Sequence, residues 1–232
     1  MKLRTSLFAA TFVLMSSASA QQIDKGTLAD VVTSVPQETK QLVMADRLVS
    51  YGYQTKSALP LVQAVQIFKA LNVTDAADDT SQNSPFSESK LLADAKKFAD
   101  GNKNLLSLIR ETEKSTRAGS YDPPLRYFRV IDPGETVTQD LYTKGSQYIQ
   151  IVVDGQGKGI SSRDDKGNIL VSDLQLTVID NKGRVIAADK SRGENCTACF
   201  ISRTNNMTIA VNNVGKLGDT FIMYVYKTPL AN

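Results

Sequence analysis

The residues of this sequence that could do chemistry are limited by one missing type, because its 232 residues include no histidine and only two cysteines. Without an imidazole the chain cannot form a Ser-His-Asp triad, a Cys-His pair, an HExxH zinc site or a histidine-ligated haem. Chemistry by carboxylates, lysine or tyrosine and binding of calcium need no histidine. The 24 acidic residues include no pair whose surroundings indicate a shifted pKa, and the sequence offers no recognisable set of nucleophile, base and orienting residue. We therefore predict a protein that is not an enzyme and has neither catalytic residues nor a cofactor, with calcium as the alternative.

The two cysteines lie in the segment Cys196-Thr-Ala-Cys199. Two cysteines in an oxidising compartment normally pair, so we predict a structural disulfide between Cys196 and Cys199. A fully extended segment would place their Cα atoms about 10 Å apart, whereas a bridge tolerates about 7 Å. The bridge therefore requires a turn, which Gly193-Glu-Asn195 could begin, and free or redox-active thiols are the alternative. A zinc site would need two further ligands.

Three polar segments and four aromatic residues are weaker candidates. The segments Asp164-Asp-Lys-Gly-Asn168 and Asp180-Asn181 supply oxygen ligands, but neither has EF-hand spacing, and both predict turns. The glycine-rich segment Asp154-Gly-Gln-Gly-Lys-Gly159 lacks Walker spacing and predicts a flexible loop. The aromatic residues that could stack on sugar rings are Tyr127, Tyr148, Tyr224 and Tyr226.

The N-terminal segment MKLRTSLFAATFVLMSSASA has the three parts of a secretory signal peptide. A basic start and an apolar run from Leu7 to Met15 precede Ala18-Ser-Ala20, so we expect cleavage between Ala20 and Gln21. The apolar run is too short to cross about 30 Å of hydrocarbon. We predict a periplasmic or secreted bacterial protein with no membrane span in the mature chain.

The charge distribution argues against nucleic acid as a partner. The net charge of +3 includes Lys2 and Arg4, which the predicted cleavage would remove, and the charges of both remaining halves are nearly balanced. Binding to a phosphate backbone needs a cluster of uncompensated lysine and arginine side chains, and the sequence contains no such run.

Helical spacing of apolar residues predicts a helical domain over residues 21–118. The first helix would end at Gly52, the next would be capped by Ser57, and residues 72–87 would form a loop. Another pair would follow, with caps at Ser87 and Asn102 and a stop between them at Gly101.

The two predicted pairs of helices can be superposed on each other. A shift of 49 positions places Leu42 on Leu91 and Gly52 on Gly101. Two copies of one helical hairpin would produce this match, and so would any two amphipathic helices that end in glycine. As a repeat, the segment would faintly resemble the stacked hairpins of TPR-like proteins, which generally bind partners.

A linker is predicted at residues 119–124, where Pro123 and Pro124 end any helix. After it, apolar residues no longer recur at helical spacing but at every second position, as in a β-strand. Turn residues separate short alternating runs, which predict an antiparallel, jelly-roll-like β-sandwich over residues 125–228 and an α+β fold for the chain. The predicted strands are 127–131, 136–142, 148–154, 174–180, 184–189, 198–203, 207–211 and 220–226.

The β segment resembles the bacterial pre-peptidase C-terminal (PPC-like) domains. The resemblance is carried by the block DLQLTVIDNKGRVIAAD at residues 173–189, by Cys199-Phe-Ile-Ser202, by TIAVNN at 208–213 and by FIMYVY at 221–226. It implies a sandwich domain that accompanies secreted peptidases, takes part in substrate binding or secretion, and in some members binds calcium. Gln175 replaces an aspartate that the family often has, which weakens a calcium site at that position.

Taken together, these features predict an exported, non-catalytic binding or accessory protein of the bacterial envelope, whose helical face docks an envelope or secreted protein. One alternative is a calcium- or carbohydrate-binding module. Another is an accessory protein of a secreted peptidase system.

Overall fold

The computed structural model describes residues 37–76, 87–117, 123–144, 146–156, 162–163 and 169–230. All of them belong to one compact unit, Val35–Asn232. None of the helices in these ranges has the length and apolar character needed to cross a membrane. The predicted signal peptide, the predicted turn at 164–168 and most of the predicted linker lie outside the described residues.

The described part of the N-terminal half contains four helices, as predicted: α1 (Gln37–Thr55), α2 (Ala58–Ala70), α3 (Glu88–Phe98) and α4 (Lys103–Lys114). The largely apolar α2 packs against the other three. The cap of α4 is the predicted one, because the side-chain oxygen of Asn102 accepts hydrogen bonds from the backbone N–H groups of Asn104 and Leu105, at 3.1 and 3.2 Å. Gly101 has a φ of +76°, the left-handed conformation that ends many helices.

Gly52 has a different role from the predicted one. It lies inside α1, which continues to Thr55, and the chain turns at Lys56 with a φ of 49°. A Cβ atom at Gly52 would lie 2.6 Å from Cδ2 of Leu61, so glycine here permits close packing of α1 on α2. Gly52 and Gly101 are therefore not equivalent, and the match between them is not evidence for a repeat.

Eleven strands are present in the described residues, and the eight predicted ones are among them, which confirms the α+β class and the sandwich. A five-stranded sheet has the order β1-β2-β11-β4-β9, a four-stranded sheet has the order β3-β10-β7-β8, and β5 pairs with β6. Every pairing is antiparallel except that of β1 with β2. The bounds are β1 Thr74–Asp75, β2 Leu125–Ile131, β3 Thr136–Tyr142, β4 Gln147–Gly155, β5 Ser162–Arg163, β6 Ile169–Leu170, β7 Leu174–Asp180, β8 Val185–Asp189, β9 Asn195–Ile201, β10 Asn206–Asn213 and β11 Asp219–Pro229.

The five-stranded sheet is the middle of three layers. On β11, Phe221, Met223 and Val225 join the core between the two sheets. The alternate residues Ile222 and Tyr224 point to the other face and join the core of the helices. Both faces of this sheet are therefore buried where the helices cover it.

The two-residue strand β1 lies within the segment that was predicted to be a loop. Thr74 is paired with Leu125 of β2, and the N–H of Thr74 donates to the carbonyl of Pro124 at 3.0 Å. The helices α3 and α4 belong to the crossover between these parallel strands. The helical and β segments thus share a core and a sheet edge, and the domain division at residues 119–124 stays a sequence-based prediction.

Candidate functional site

Helix α1 is held on the outer face of the five-stranded sheet by buried polar contacts. Thr39 donates a hydrogen bond from Oγ1 to Oε1 of Gln150 on β4, at 3.2 Å. Two helical turns later, the hydroxyl of Tyr224 on β11 donates to Oδ1 of Asp46, at 2.7 Å. These contacts lie on the same side of α1 as the buried Leu42, and they fix the position of the helix relative to β4.

Asp46 is an ionisable residue with no exposed surface. Burial raises the pKa of its carboxyl well above its usual value, and the charge of Asp154 acts in the same direction, whereas the hydrogen bond from Tyr224 and the charge of Arg126 lower it. Its Oδ2 atom accepts no hydrogen bond from the described residues. The environment therefore favours the uncharged carboxyl.

Arg126 connects β2 to β1 and to the helical core. Its Nε donates to Oδ1 of Asp75 at 2.6 Å, and its guanidinium lies 4.4 Å from the centre of the Phe68 ring on α2. Only 3% of Arg126 is exposed, so the ion pair and the aromatic contact replace the water that the buried cation loses.

A groove of about 350 Å³ opens beside α1 over β4 and β9. The helix contributes Thr39, Lys40, Val43, Met44 and Arg47, and the strands contribute Val152, Val153, Asp154, Asn195 and Thr197. Lys40 and Arg47 are exposed, and Met44 between them is 56% exposed. Within the described part of the chain neither cation forms a hydrogen bond or an ion pair. The groove thus combines two exposed positive charges with a lining of both apolar and polar side chains.

One carboxylate, that of Asp154, lines this groove. Burial raises the pKa of Asp154 to about 6, and the charges of Glu194 and Asp219 add to the increase, while Arg47 and the side chain of Gln156 oppose it. The pKa of Glu194 is also raised, by burial and by the charge of Asp219. The groove therefore gains negative charge as the pH rises through about 6.

The predicted turn at Asp180-Asn181 is present. The carboxylate of Asp180 accepts hydrogen bonds from the backbone N–H groups of Lys182 and Arg184, both at 2.9 Å, and from Nε of Arg184 at 2.7 Å. These donors hold the pKa of Asp180 below its usual value. In the described ranges, no group of three or more aspartate, glutamate or cysteine side chains is arranged to hold a metal ion.

The predicted disulfide between Cys196 and Cys199 is not formed in the structure, where both thiols are free. Both residues belong to the continuous strand β9, and no turn separates them. Side chains three positions apart on a strand point to opposite faces of the sheet. Cys196 faces the sandwich core, where its thiol donates to the carbonyl of Leu174 at 2.9 Å, and Cys199 is half-buried on the other face.

The four tyrosines proposed to stack on sugars are all at least partly buried. Tyr127 lies in the sandwich core with 6% of its surface exposed, and Tyr224 lies under the helices with no exposed surface. Tyr226 packs against the core of the helices, and Tyr148 is half-buried beside Cys199. The tyrosine that does project into solvent from the sandwich is Tyr142, which is 64% exposed and was not a candidate.

The groove residues on α1 were also missed from the sequence. Lys40, Met44 and Arg47 are spaced by four and three positions, so helical periodicity could have placed them on one face. Periodicity does not reveal that Asn195 and Thr197 of β9 lie opposite them, because that depends on contacts distant in sequence.

No family model matches the chain, and no curated protein sequence matches it. Among solved structures, it resembles the pre-peptidase C-terminal domain of a collagenase from Bacillus anthracis, with 13% identity over 44% of this chain and 87% of that one and a TM-score of 0.34. It also resembles a periplasmic inhibitor of g-type lysozyme from Aeromonas hydrophila, with 10% identity over 49% and 93% and a TM-score of 0.33. The likenesses cover about half of the chain, and the TM-scores are low. The fold defines the class of protein as a β-sandwich in which helices cover one of the two sheets.

Proposed function

We propose that this protein is an exported, non-catalytic binding protein of the bacterial envelope, and that the groove beside α1 binds an extended segment of a partner protein. The observation that carries the proposal is the combination of two exposed cations, Lys40 and Arg47, which form no hydrogen bond or ion pair among the described residues, with the apolar side chains that line the groove beside the edge strand β9. The signal-like N-terminus supports export, and the sequence resemblance of residues 125–228 to PPC-like domains supports an accessory role.

The charged and apolar side chains of the groove indicate which kind of partner segment would bind there. Lys40 and Arg47 lie two helical turns apart, with Val43 and Met44 between them. A partner segment with acidic side chains at both ends of a short apolar stretch would pair with the cations and cover the exposed part of Met44. Such charge complementarity mainly increases specificity and the rate of association.

The strand β9 could add backbone hydrogen bonds to this contact. It is an edge strand, and its pairing with β4 alternates so that the N–H groups of Thr197, Cys199 and Ile201 point away from β4. The N–H of Thr197 donates to Oδ2 of Asp189 at 2.8 Å, whereas among the described residues those of Cys199 and Ile201 have no acceptor. An extended partner segment can pair with such an edge by strand addition.

The arrangement of the raised carboxyls supports binding rather than catalysis. Asp154, the groove residue with the pKa of about 6, is influenced by the charges of Glu194 and Asp219. In the described chain Asp154 has the amide of Gln156 as its hydrogen-bond partner, at 3.2 Å, and neither a serine nor a cysteine contacts it. Ser172 donates a hydrogen bond from its hydroxyl to Oδ2 of Asp219 at 2.9 Å, but it is only 5% exposed. Covalent catalysis requires a nucleophile that a substrate can reach, and the burial of Ser172 does not favour that role.

The test is selection of a random peptide library against the mature protein. We expect enrichment of peptides with acidic residues flanking apolar ones, and we expect the double variant Lys40→Glu/Arg47→Glu to weaken their binding by about tenfold or more, equivalent to about 1.4 kcal/mol. The matched control is Lys103→Glu/Arg110→Glu, which reverses two exposed cations with the same spacing on α4. Failure to enrich such peptides, or equal loss in both double variants, would contradict the proposal.

A further inference from the structure

The four-stranded sheet has an exposed corner where β3 ends, β10 begins and the β7–β8 turn approaches. A depression of about 210 Å³ lies there. Its lining residues are Asp140, Tyr142, Asn181, Asn206, Met207 and Thr208. The corner belongs to a different sheet from the groove beside α1, so it is a separate surface.

The backbone holds the polar groups of this corner in a fixed arrangement around one aromatic ring. Tyr142 of β3 is paired with Asn206 of β10, and the carbonyl of Tyr142 accepts a hydrogen bond from Nζ of Lys227 at 2.8 Å. Two positions along the same pair of strands, Thr208 is paired with Asp140 and donates from Oγ1 to Oδ1 of Asp140 at 3.3 Å. Strand pairing therefore fixes an exposed ring, an amide, a hydroxyl and a carboxylate on one face.

We propose that this corner binds a sugar residue of a polysaccharide, with the ring of Tyr142 stacked against one face of the sugar. A pyranose ring presents C–H groups on its faces and hydroxyl groups at its edge, and an exposed aromatic ring surrounded by hydrogen-bonding groups matches both. The amides of Asn181 and Asn206 can donate and accept hydrogen bonds, and the carboxylate of Asp140 accepts them from hydroxyl groups. Its Oδ2 atom accepts no hydrogen bond from the described residues.

The surface beyond the corner favours a chain of sugars over a single one. The outward side chains of β3, β10 and β7 are mostly polar, and Tyr142, Ile179 and Ala210 are the exceptions among them. Register aligns them in rows across the sheet, with Asn212 between Thr136 and Gln175, and Ala210 between Thr138 and Thr177. A flat surface of hydroxyl and amide groups can continue the hydrogen bonding that begins at Tyr142.

The experiment is a screen of the purified protein against a glycan array and insoluble polysaccharides, followed by titration of the best oligosaccharide. We expect Tyr142→Ala to weaken binding by about tenfold and Tyr142→Phe, which keeps the ring, to change it less than about twofold. Asp140→Asn should weaken binding through the lost acceptor. The control is Tyr51→Ala, which removes a tyrosine of similar exposure (57%) from α1 and should leave glycan binding unchanged.

Two outcomes would overturn the assignment. One is the absence of glycan binding by the folded wild-type protein, and the other is glycan binding that Tyr142→Ala does not weaken more than Tyr51→Ala does. Lys40→Glu/Arg47→Glu should bind the glycan normally, and Tyr142→Ala should bind the selected peptides normally. Failure of the peptide-groove proposal and failure of the sugar-site proposal are therefore distinguishable.

Discussion

The hydroxyl of Tyr224 lies 2.7 Å from Oδ1 of Asp46, and this hydrogen bond joins two residues that are 178 positions apart. Neither side chain has any exposed surface. The bond crosses the boundary between the helical layer and the five-stranded sheet, so it links α1 to β11, the first helix and the last strand of the described residues.

Tyr224→Phe should lower the free energy of unfolding by about 1–3 kcal/mol, because it removes the hydroxyl donor from a carboxyl whose other oxygen has no partner among the described residues. Chemical denaturation followed by circular dichroism measures this change. Tyr51→Phe, at an exposed position of α1, is the control and should have an effect below about 0.5 kcal/mol. Equal stability of the two variants would show that the buried bond contributes nothing.

The stability of the protein should fall as the pH rises from about 4 to about 7. The pKa of Asp154 is about 6 in the folded protein and 3.8 in the unfolded chain, so between these values the folded state binds more protons and deprotonation favours unfolding. Glu194 and Asp46, whose pKa values burial also raises, act in the same direction. The chain has no histidine to titrate in this window.

Urea denaturation at a series of pH values tests this trend. Backbone N–H donors lower the pKa of Asp180, so this residue acts in the opposite direction. It stabilises the fold at pH values above 3.8, the pKa of aspartate in the unfolded chain, and this contribution is lost only at lower pH. Asp154→Asn should flatten the slope between pH 4 and 7, and Asp132→Asn, at an exposed turn, should not. A slope that Asp154→Asn leaves unchanged would be evidence against the raised pKa.

Gly52→Ala should destabilise the protein by about 1 kcal/mol. Alanine improves helix propensity by about 1 kcal/mol, but its Cβ would lie 2.6 Å from Cδ2 of the buried Leu61, and such overpacking costs about 1–3 kcal/mol. Thermal unfolding measures the net effect, with Gln54→Ala at an exposed position of the same helix as control. A more stable Gly52→Ala variant would show that Leu61 can move aside.

The thiols should react with iodoacetamide at very different rates in the folded protein. Cys199 is half-buried, whereas Cys196 is 1% exposed and burial raises the pKa of its thiol to about 12, so Cys196 should react only after unfolding. Intact-mass measurement before and after denaturation follows both reactions. An intact mass that is lower by two hydrogen atoms than that of the reduced protein, together with no alkylation of either cysteine, would instead establish the bridge predicted from the sequence.

The sandwich could be predicted because burial alternates along β7, β9 and β10 at the period of their sequences. Leu174, Leu176 and Val178 of β7 are fully buried, and the residues between them face outward. Alternation identifies the two faces of a strand, but it does not show which outer face another layer covers. For that reason Tyr224, which the helices bury, and Tyr142, which they do not, could not be distinguished from the sequence.

Sequence patterns give a wrong prediction where a structural feature depends on a contact between residues that are distant in sequence. Gly52 resembled a helix stop because local patterns do not include the side chain of Leu61 that packs on it. The strand β1 was missed because Thr74 and Asp75 are too few residues to show a period. The groove was missed because it depends on the register of α1 against β4, which the contact between Thr39 and Gln150 sets.

The pairing of β1 with β2 has a consequence for how the molecule avoids aggregation. An uncovered strand edge and an apolar sheet face are both templates for association with other chains. Thr74–Asp75 occupies the edge of β2, and the helices cover Ile222 and Tyr224 on the face of the same sheet. Within the described residues, the N-terminal half therefore protects one edge and one face of the sandwich from association with other chains.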